Sequence, residues 1–578
     1  MMDIAGRLTL AATLCFGLAL TATARKPRIP QPAPYSTTVL TGELSQRVQR
    51  NMQRLEEEKY WPQNVFLTEE QSLDWPGDTE GRTILALTLD AQASHRTPRY
   101  LQDIIGLIPS HLNAQGYMGT PHPGVAHEQQ LSGNGWMLRA LCEYYRWTGD
   151  ESVRRVISSI ARNLFLPLTD KFAAYPIRPE DRVQGQGAES GSIVATQDGW
   201  MLSTDVGCVF IGMEGLIHAY DVLRDPDLRK PIETLINRFL QVDLTGIKAQ
   251  THATLTACRG LMRYAEITGD KRYVREAASR FALYVANGMT ENYENYNWYD
   301  RFDTWTEPCA IVDSYMLAVQ LWQQTLDSEY LEWAELIYYN ALCHTQRHNG
   351  GFGCDNCPGL AMHTQRLAVS VPEAHWCCSM RGGEGLSSAV RYTCFSRERD
   401  VWMPFFRPGR FGMPVAQGQL DYEVSTSYPF AGHVQLRVTG NTAGRATLHL
   451  AAPSWAQDVR LSLNGAPVQA SLERGFVSLK REFRAGDVVT LDFAMPVRMQ
   501  GTLCAANTNP SWRRVFAGPL MLGSDAPDDV TLPAQPVWER SSEGEWHVGG
   551  TNISLTPLYH LLDARVWEGT GYSKQILF

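Results

Sequence analysis

The sequence predicts a multi-domain α + β protein, a long helical region followed by an all-β region. Two observations carry this. Helix-like stretches between about residues 42 and 345 end in recurring polar turns, and the apolar pattern changes period after about residue 400. The turns Thr148-Gly149-Asp150 and Thr268-Gly269-Asp270 share one design, and Arg224-Asp225-Pro226-Asp227 and Asp327-Ser328-Glu329 vary it. Glycine or a polar residue stops one helix, and aspartate or serine caps the next. Such αα-hairpins repeated over some 300 residues imply a helical solenoid or a closed α/α barrel.

Taken in chain order, the first element is an export signal over residues 1–24. Arg7 precedes the 13-residue apolar run Leu8 to Leu20, too short to span a bilayer, and Ala22-Thr23-Ala24 supplies small residues for cleavage. A periplasmic or secreted protein is expected, with no membrane span in the mature chain. The helical domain is then bounded at residues 25–400. Within it Met213, Leu216, Ile217 and Tyr220 show helical spacing. Cys142 joins a stripe with Leu138, Leu141 and Tyr145, and Cys258 one with Leu261, Met262 and Ala265, which marks both as core thiols. Residues 345–400 are glycine-rich and read as irregular. The β domain covers 401–578. Val434, Leu436 and Val438 alternate with polar residues, as do Ala446, Leu448 and Leu450, then Val459, Leu461 and Leu463, then Val489, Leu491 and Phe493. Turns at Asn464-Gly465 and Gly486-Asp487 make these antiparallel strands, as in a β-sandwich.

With 578 residues and 44% apolar composition, the chain is an ordinary globular protein in size and balance. A net charge of −9 leaves no basic field for phosphate backbones, so nucleic acid is not expected as a partner. The 16 Trp and 23 Tyr suit a protein that stacks sugar rings, although large cores use aromatics too. Composition says nothing of oligomeric state.

The chemistry concentrates in cysteines. Cys377 and Cys378 are adjacent, and Glu307-Pro308-Cys309 lies upstream, Cys309 being 68 residues before Cys377. Vicinal cysteines seldom bridge each other, because the small ring strains the peptide bond between them. Three thiolates and a carboxylate complete a tetrahedral ligand set for zinc. A disulfide such as Cys309 with Cys377 is the structural alternative. A second group, Cys343, His344, His348, Cys354, Cys357 and His363, falls within 21 residues and reads either as another zinc site or as a Cys354–Cys357 disulfide.

The order of these motifs resembles glycoside hydrolase family 127, the β-L-arabinofuranosidases and relatives. The likeness runs over most of the chain: Gly42-Glu43-Leu44 with Asn51, Gln115-Gly116-Tyr117, His127-Glu128, His252-Ala253, then Glu-x-Cys and Cys-Cys. In the β region Ser427-Tyr428-Pro429, Pro453-Ser454-Trp455-Ala456, Asn464-Gly465 and Met495-Pro496-Val497-Arg498 continue it. The resemblance implies an (α/α)6 barrel holding Zn2+ through Glu307, Cys309, Cys377 and Cys378, with Cys377 as nucleophile. It implies Glu291, 16 residues before Glu307, as acid/base, with Glu294 as its rival. His252, His127 and Glu128 are expected to contact sugar, and Trp305 and Trp298 to form a platform, unless these side chains only cap and pack. The chain departs from the family at Asn134, where a histidine is usual, and in the residues around Arg381 that follow the cysteine pair.

The implied activity is retaining hydrolysis that releases a terminal furanose, or a related unusual sugar, from an oligosaccharide or plant-type glycan. A zinc-bound thiolate replaces the usual nucleophilic carboxylate. Two other readings stand beside it: a different α/α-barrel enzyme such as an unsaturated-uronyl hydrolase, and a non-catalytic, zinc-stabilised glycan-binding protein.

Overall fold

The computed structural model describes residues 29–66, 75–182, 191–541, 544–560 and 572–578. The export signal expected over residues 1–24 lies outside them. Among the described residues, helices of nine residues or more form six consecutive pairs. These are α1 (Glu43–Arg54) and α2 (Asp78–Ser94), α3 (Leu101–His111) and α4 (Glu128–Thr148), and α5 (Glu151–Ile160) and α6 (Val209–Leu223). They continue with α7 (Arg229–Phe239) and α8 (Thr251–Thr268), α9 (Lys271–Asn287) and α10 (Pro308–Thr325), and α11 (Glu329–Ile337) and α12 (Cys378–Arg391). The second members pack on one another in sequence, α2 on α4, α4 on α6, α6 on α8, α8 on α10, α10 on α12, and α12 back on α2. Six helices therefore close a ring.

Sequence chemistry explains the two classes. α5 buries only Val153, Ile157 and Ile160, a single apolar stripe suited to an outer layer. α8 is buried on nearly every side, polar residues included, because one flank faces neighbours and another faces the ring axis. The turns behave as their residues predict. Gly149 and Gly269 take left-handed φ of 70° and 78°, and the Asp150 and Asp270 side chains cap α5 and α9. Where glycine is missing, Arg224 and Leu326 are forced into the same left-handed region.

Glycine has a second use where α4 crosses α6. A Cβ on Gly135 would stand 2.6 Å from the Gly212 Cα, and one on Gly215 would stand 2.2 Å from the Gly135 carbonyl oxygen. The backbones touch, and any side chain would push them apart.

Residues 345–400 are more regular than the sequence suggests. α12 completes the ring there despite Gly382, Gly383 and Gly385, which lower helix propensity. Tertiary packing overrides that cost. A Cβ on Gly382 would lie 2.0 Å from the Phe352 ring, and one on Gly383 2.5 Å from Asn51 Oδ1.

The β-rich part holds three larger sheets. In the seven-stranded one, strands Ala466–Val468, Gln457–Leu463, Val488–Ala494, His433–Asn441, Gly418–Thr426, Gly409–Val415 and Thr38–Leu40 lie side by side. Val434, Leu436, Val438, Val489, Leu491 and Phe493 are buried as the alternation requires. A six-stranded sheet contains Arg445–Ala451, which runs antiparallel to Phe476–Glu482 but parallel to Asp400–Met403, an exception to the expected antiparallel order. A further sheet spans residues 497–557. The stretch that follows the expected boundary at residue 25 is drawn into the sheets. Gln31–Pro32 and Thr38–Leu40 pair with Phe395–Arg397 and Gly409–Val415, so this leading stretch belongs to the β sheets. Residues 573–575 return to pair with Arg366–Val371, on the path to Cys377. No described helix is long and apolar enough to cross a membrane.

Two alanine substitutions test the helix contacts with opposite signs. Gly215→Ala is expected to lower unfolding stability by about 1–3 kcal/mol through overpacking. Gly106→Ala, on the exposed face of α3 with nothing within 4 Å of the new methyl, is expected to raise it by about 0.5–1 kcal/mol. Urea unfolding of the two variants measures both.

Candidate metal centre and active site

The N-terminal ends of inner helices gather the reactive side chains. Glu307 is the N-cap of α10 and Cys309 its second residue, while Cys377 is the N-cap of α12 and Cys378 its first residue. His252 is the second residue of α8. The Sγ atoms of Cys309, Cys377 and Cys378 lie within 4.8 Å of one another, and so do one ligand atom each from His252, Glu307 and Cys309. Cys309 belongs to both groups. Its sulfur is 3.8 Å from that of Cys378, and Cys377 Sγ is 3.4 Å from Cys378 Sγ. Two thiolates bound tetrahedrally to one zinc at ~2.3 Å stand roughly 3.8 Å apart, so the spacing fits a shared ion. It is far from the ~2.05 Å of a disulfide, and the described cysteines are all free. Cys377 alone among them is only partly buried.

The site is short of positive charge for its thiols. Burial pushes the Cys309 and Cys378 thiols well above the usual range, and neighbouring sulfurs add to it. For Cys377 the Cys309 contact pulls downward, but the Cys378 thiol and burial carry the net shift well upward. Burial, with Asp205 nearby, lifts Glu307 to about 8. Arg82 is the local cation. Its NH1 is 3.3 Å from Cys309 Sγ, it is bidentate to Asp78, and it lies over the Trp136 ring. One guanidinium cannot ionise three thiols and a carboxyl, whereas a divalent ion deprotonates the thiols it binds. The donor set therefore suits a metal.

Below the sulfurs lies a buried ionic cluster. Asp313 Oδ1 accepts from Arg259 at 2.5 Å and from Arg381 at 2.6 Å, and Oδ2 pairs with His252 Nδ1 and Thr256 Oγ1, each at 2.7 Å. Although burial opposes it, Arg381 and Arg259 hold the Asp313 carboxyl far below the ordinary range. Glu384 joins Arg259, Arg139 and Arg381 on the same axis.

Several expected residues have other tasks. Glu291 is fully buried, and its carboxylate accepts from the Leu503 N–H at 2.7 Å, the Cys504 N–H at 3.1 Å and Asn507 Nδ2 at 2.7 Å, with Arg514 at 3.5 Å. Both oxygens hold a loop of the β part, at the position where spacing suggests the acid/base. Glu294, also buried, clusters with His344 and Asp355, accepts from Asn292 Nδ2 at 2.8 Å and contacts Cys357. Burial, reinforced by Asp355, raises its carboxyl well above the ordinary range. The next residue in the chain reaches the sulfur site, since Asn295 Oδ1 accepts the Glu307 N–H at 2.9 Å.

Glu128 is held in a similar way. It accepts from Arg182 at 2.9 Å, from Tyr175 at 2.5 Å and from the N–H groups of Ser203 and Gly207, so it ties loops together. His127 is the N-cap of α4, its Nδ1 accepting from the Gln130 N–H. Asn134 is likewise spent on backbone groups of Met118, Gln130 and Pro76. Trp298 and Trp305 form an edge-to-face pair at 5.4 Å, with Trp305 partly open. Cys354 and Cys357 do not bridge. Cys354 lies beside Cys378, and Cys357 Sγ meets Asn292 and Glu294. Arg82, Asp205 and Asp313 escaped the sequence reading. The i, i+4 pairs Asp78–Arg82 and Cys309–Asp313 were the available signal, but neither spacing is distinctive without the ring.

The family model described as the GH127 catalytic domain of β-L-arabinofuranosidase matches residues 69–390, and the GH127 middle domain matches residues 400–495. Among solved structures, a GH127 β-arabinofuranosidase superposes with a TM-score of 0.69 at 16% identity, covering 96% of this chain and 98% of that one. A GH127 β-L-arabinofuranosidase from Geobacillus stearothermophilus T6 superposes with a TM-score of 0.68 at 14% identity, covering 93% and 99%. No curated protein matches the chain by sequence.

The anchoring role of Glu128 is open to a direct measurement. Glu128→Gln leaves the buried Arg182 guanidinium without its charge partner and is expected to cost about 3–5 kcal/mol in chemical unfolding. An unchanged midpoint would return Glu128 to the list of sugar contacts.

Proposed function

Because the chain belongs to glycoside hydrolase family 127, we propose that it is a retaining β-L-arabinofuranosidase that removes a terminal furanose from a glycan, using Cys377 as nucleophile. The supporting observation is the convergence of the Cys309, Cys377 and Cys378 sulfurs, with Cys377 the accessible one. In this reading the ring of six helix pairs is an (α/α)6 barrel, the following sheets form a β-sandwich, and residues 1–24 direct export. Glu307, Cys309, Cys377 and Cys378 hold zinc. Bound there, the ion supplies the positive charge that keeps Cys377 ionised in a site where burial would otherwise protonate it.

Cys377 Sγ attacks the anomeric carbon, and the glycosidic C–O bond breaks as Glu294 gives its proton to the departing oxygen. Water then attacks the same carbon and passes a proton to the Glu294 carboxylate, and the C–S bond breaks to return Cys377 as thiolate. Two inversions retain the configuration. Glu294 suits this work because burial and Asp355 keep it protonated until a base is needed. Trp305 offers a face for the sugar ring beside Glu307.

Three measurements test the reading. Cys377→Ser is expected to abolish turnover of nitrophenyl β-L-arabinofuranoside while leaving the melting temperature nearly unchanged; full activity would overturn the nucleophile assignment. Glu294→Gln is expected to cost roughly 100- to 10,000-fold with a poor leaving group and less with nitrophenol. A raised pKa means the acid form persists above the ordinary carboxyl range, so kcat/KM falls only as pH passes that raised value, and the alkaline limb disappears in Glu294→Gln.

A further inference from the structure

His252 has an atom with nothing to do. Its ring is 2% exposed, and Nε2 has no hydrogen-bond partner. The other nitrogen is committed, since Nδ1 lies 2.7 Å from Asp313 Oδ2. Asp313 is bound by two guanidiniums and is therefore a carboxylate that accepts. The proton then sits on Nδ1, and Nε2 carries a lone pair. The ring cannot swing away, because it stacks on Trp136 at 5.8 Å with a 9° interplanar angle, and the Arg82 and Arg381 guanidiniums lie over that indole at 4.4 Å.

The lone pair sits among other potential metal ligands. A ring nitrogen of His252 lies within 4.8 Å of a Glu307 oxygen and of Cys309 Sγ, and with Nδ1 spent on Asp313 the atom left to meet them is Nε2. Two of these groups are buried and Glu307 is half-buried, and together they offer three donor atoms to one small space. A buried acceptor left unmatched costs about 1–3 kcal/mol, so such a cluster persists best around a cation. The carboxylate–histidine arrangement is also how proteins commonly fix a metal-binding imidazole, orienting the ring and raising its basicity.

We propose that His252 Nε2 is a nitrogen donor to the metal, held in place by Asp313. The proposal rests on the metal reading given above. It assigns a donor outside the Glu307, Cys309, Cys377 and Cys378 set, and it gives the centre a reason to tolerate the loss of one sulfur. With His252, Glu307, Cys309 and Cys378 available, four donors remain when Cys377 is engaged with sugar. Cys377 is then the exchangeable member, consistent with its partial exposure.

The test uses the whole protein. Zinc X-ray absorption of the wild-type protein is expected to show imidazole scattering with a nitrogen at about 2.0–2.1 Å beside sulfur at about 2.3 Å. In the cobalt-substituted protein, His252→Ala and His252→Gln are expected to shift the visible d–d bands and weaken metal retention against a chelator by at least 10-fold. Cys377→Ser is expected to keep one equivalent of metal. Absence of imidazole scattering, or His252 variants with wild-type spectra and retention, overturns the proposal and leaves His252 as a sugar contact. Wild-type protein that binds no metal at all would instead defeat the underlying metal reading, so the two failures are separable.

Discussion

Asp313 is the fixed point of the helical part. It lies on α10 one turn beyond Cys309, and its partner Arg381 lies on α12 four residues beyond Cys377. Arg259 and His252 reach the same carboxylate from α8. A single buried charge therefore sets the relative height of three helices, and with it the distance between sulfurs that come from two of them. Buried ion pairs contribute little net stability relative to apolar packing, because desolvation consumes most of the attraction. Their value here is positional. A sliding helix would strand a guanidinium in a low-dielectric interior, so only one alignment is tolerable.

The ring geometry adds a second constraint. The chemistry is carried on the leading ends of α2, α8, α10 and α12, where unpaired backbone N–H groups concentrate partial positive charge. Thiolates and carboxylates are stabilised at such ends. Trp136 has the Arg82 and Arg381 guanidiniums and the His252 imidazole against its ring, so one indole packs on members of both the ionic cluster and the donor group.

Much of this was legible in the residues. The Thr-Gly-Asp turns revealed the helix pairs because left-handed glycine and an aspartate cap are chemically distinctive, and period-two alternation exposed the strands. The Glu-x-Cys and Cys-Cys motifs located the sulfur cluster because few other structures need those residues in that order. What escaped depends on long-range packing. α12 was hidden because its glycines answer to Phe352 and Asn51, which are remote in sequence. Glu291 and Glu294 stand three residues apart, and spacing favoured the former. Only the fold reveals that Glu291 faces residues 503–507 while Glu294 meets Asp355. Glu128 looked like a sugar ligand because a buried loop anchor and a binding carboxylate have the same sequence signature.

The bonds from Glu291 into the loop at 503–507 have company. Asn340 donates to the Pro519 carbonyl and accepts from the Met521 N–H, His344 meets the Leu558 carbonyl, and Arg47 reaches that of His560. Each couples a polar group buried in the helical part to main chain of the β part. Cutting the polypeptide between them would expose those groups unmatched, so the helical portion is not a transferable module. Recombination that shuffled it onto a different partner would have to carry these contacts along, and the two portions are bound to diverge in step.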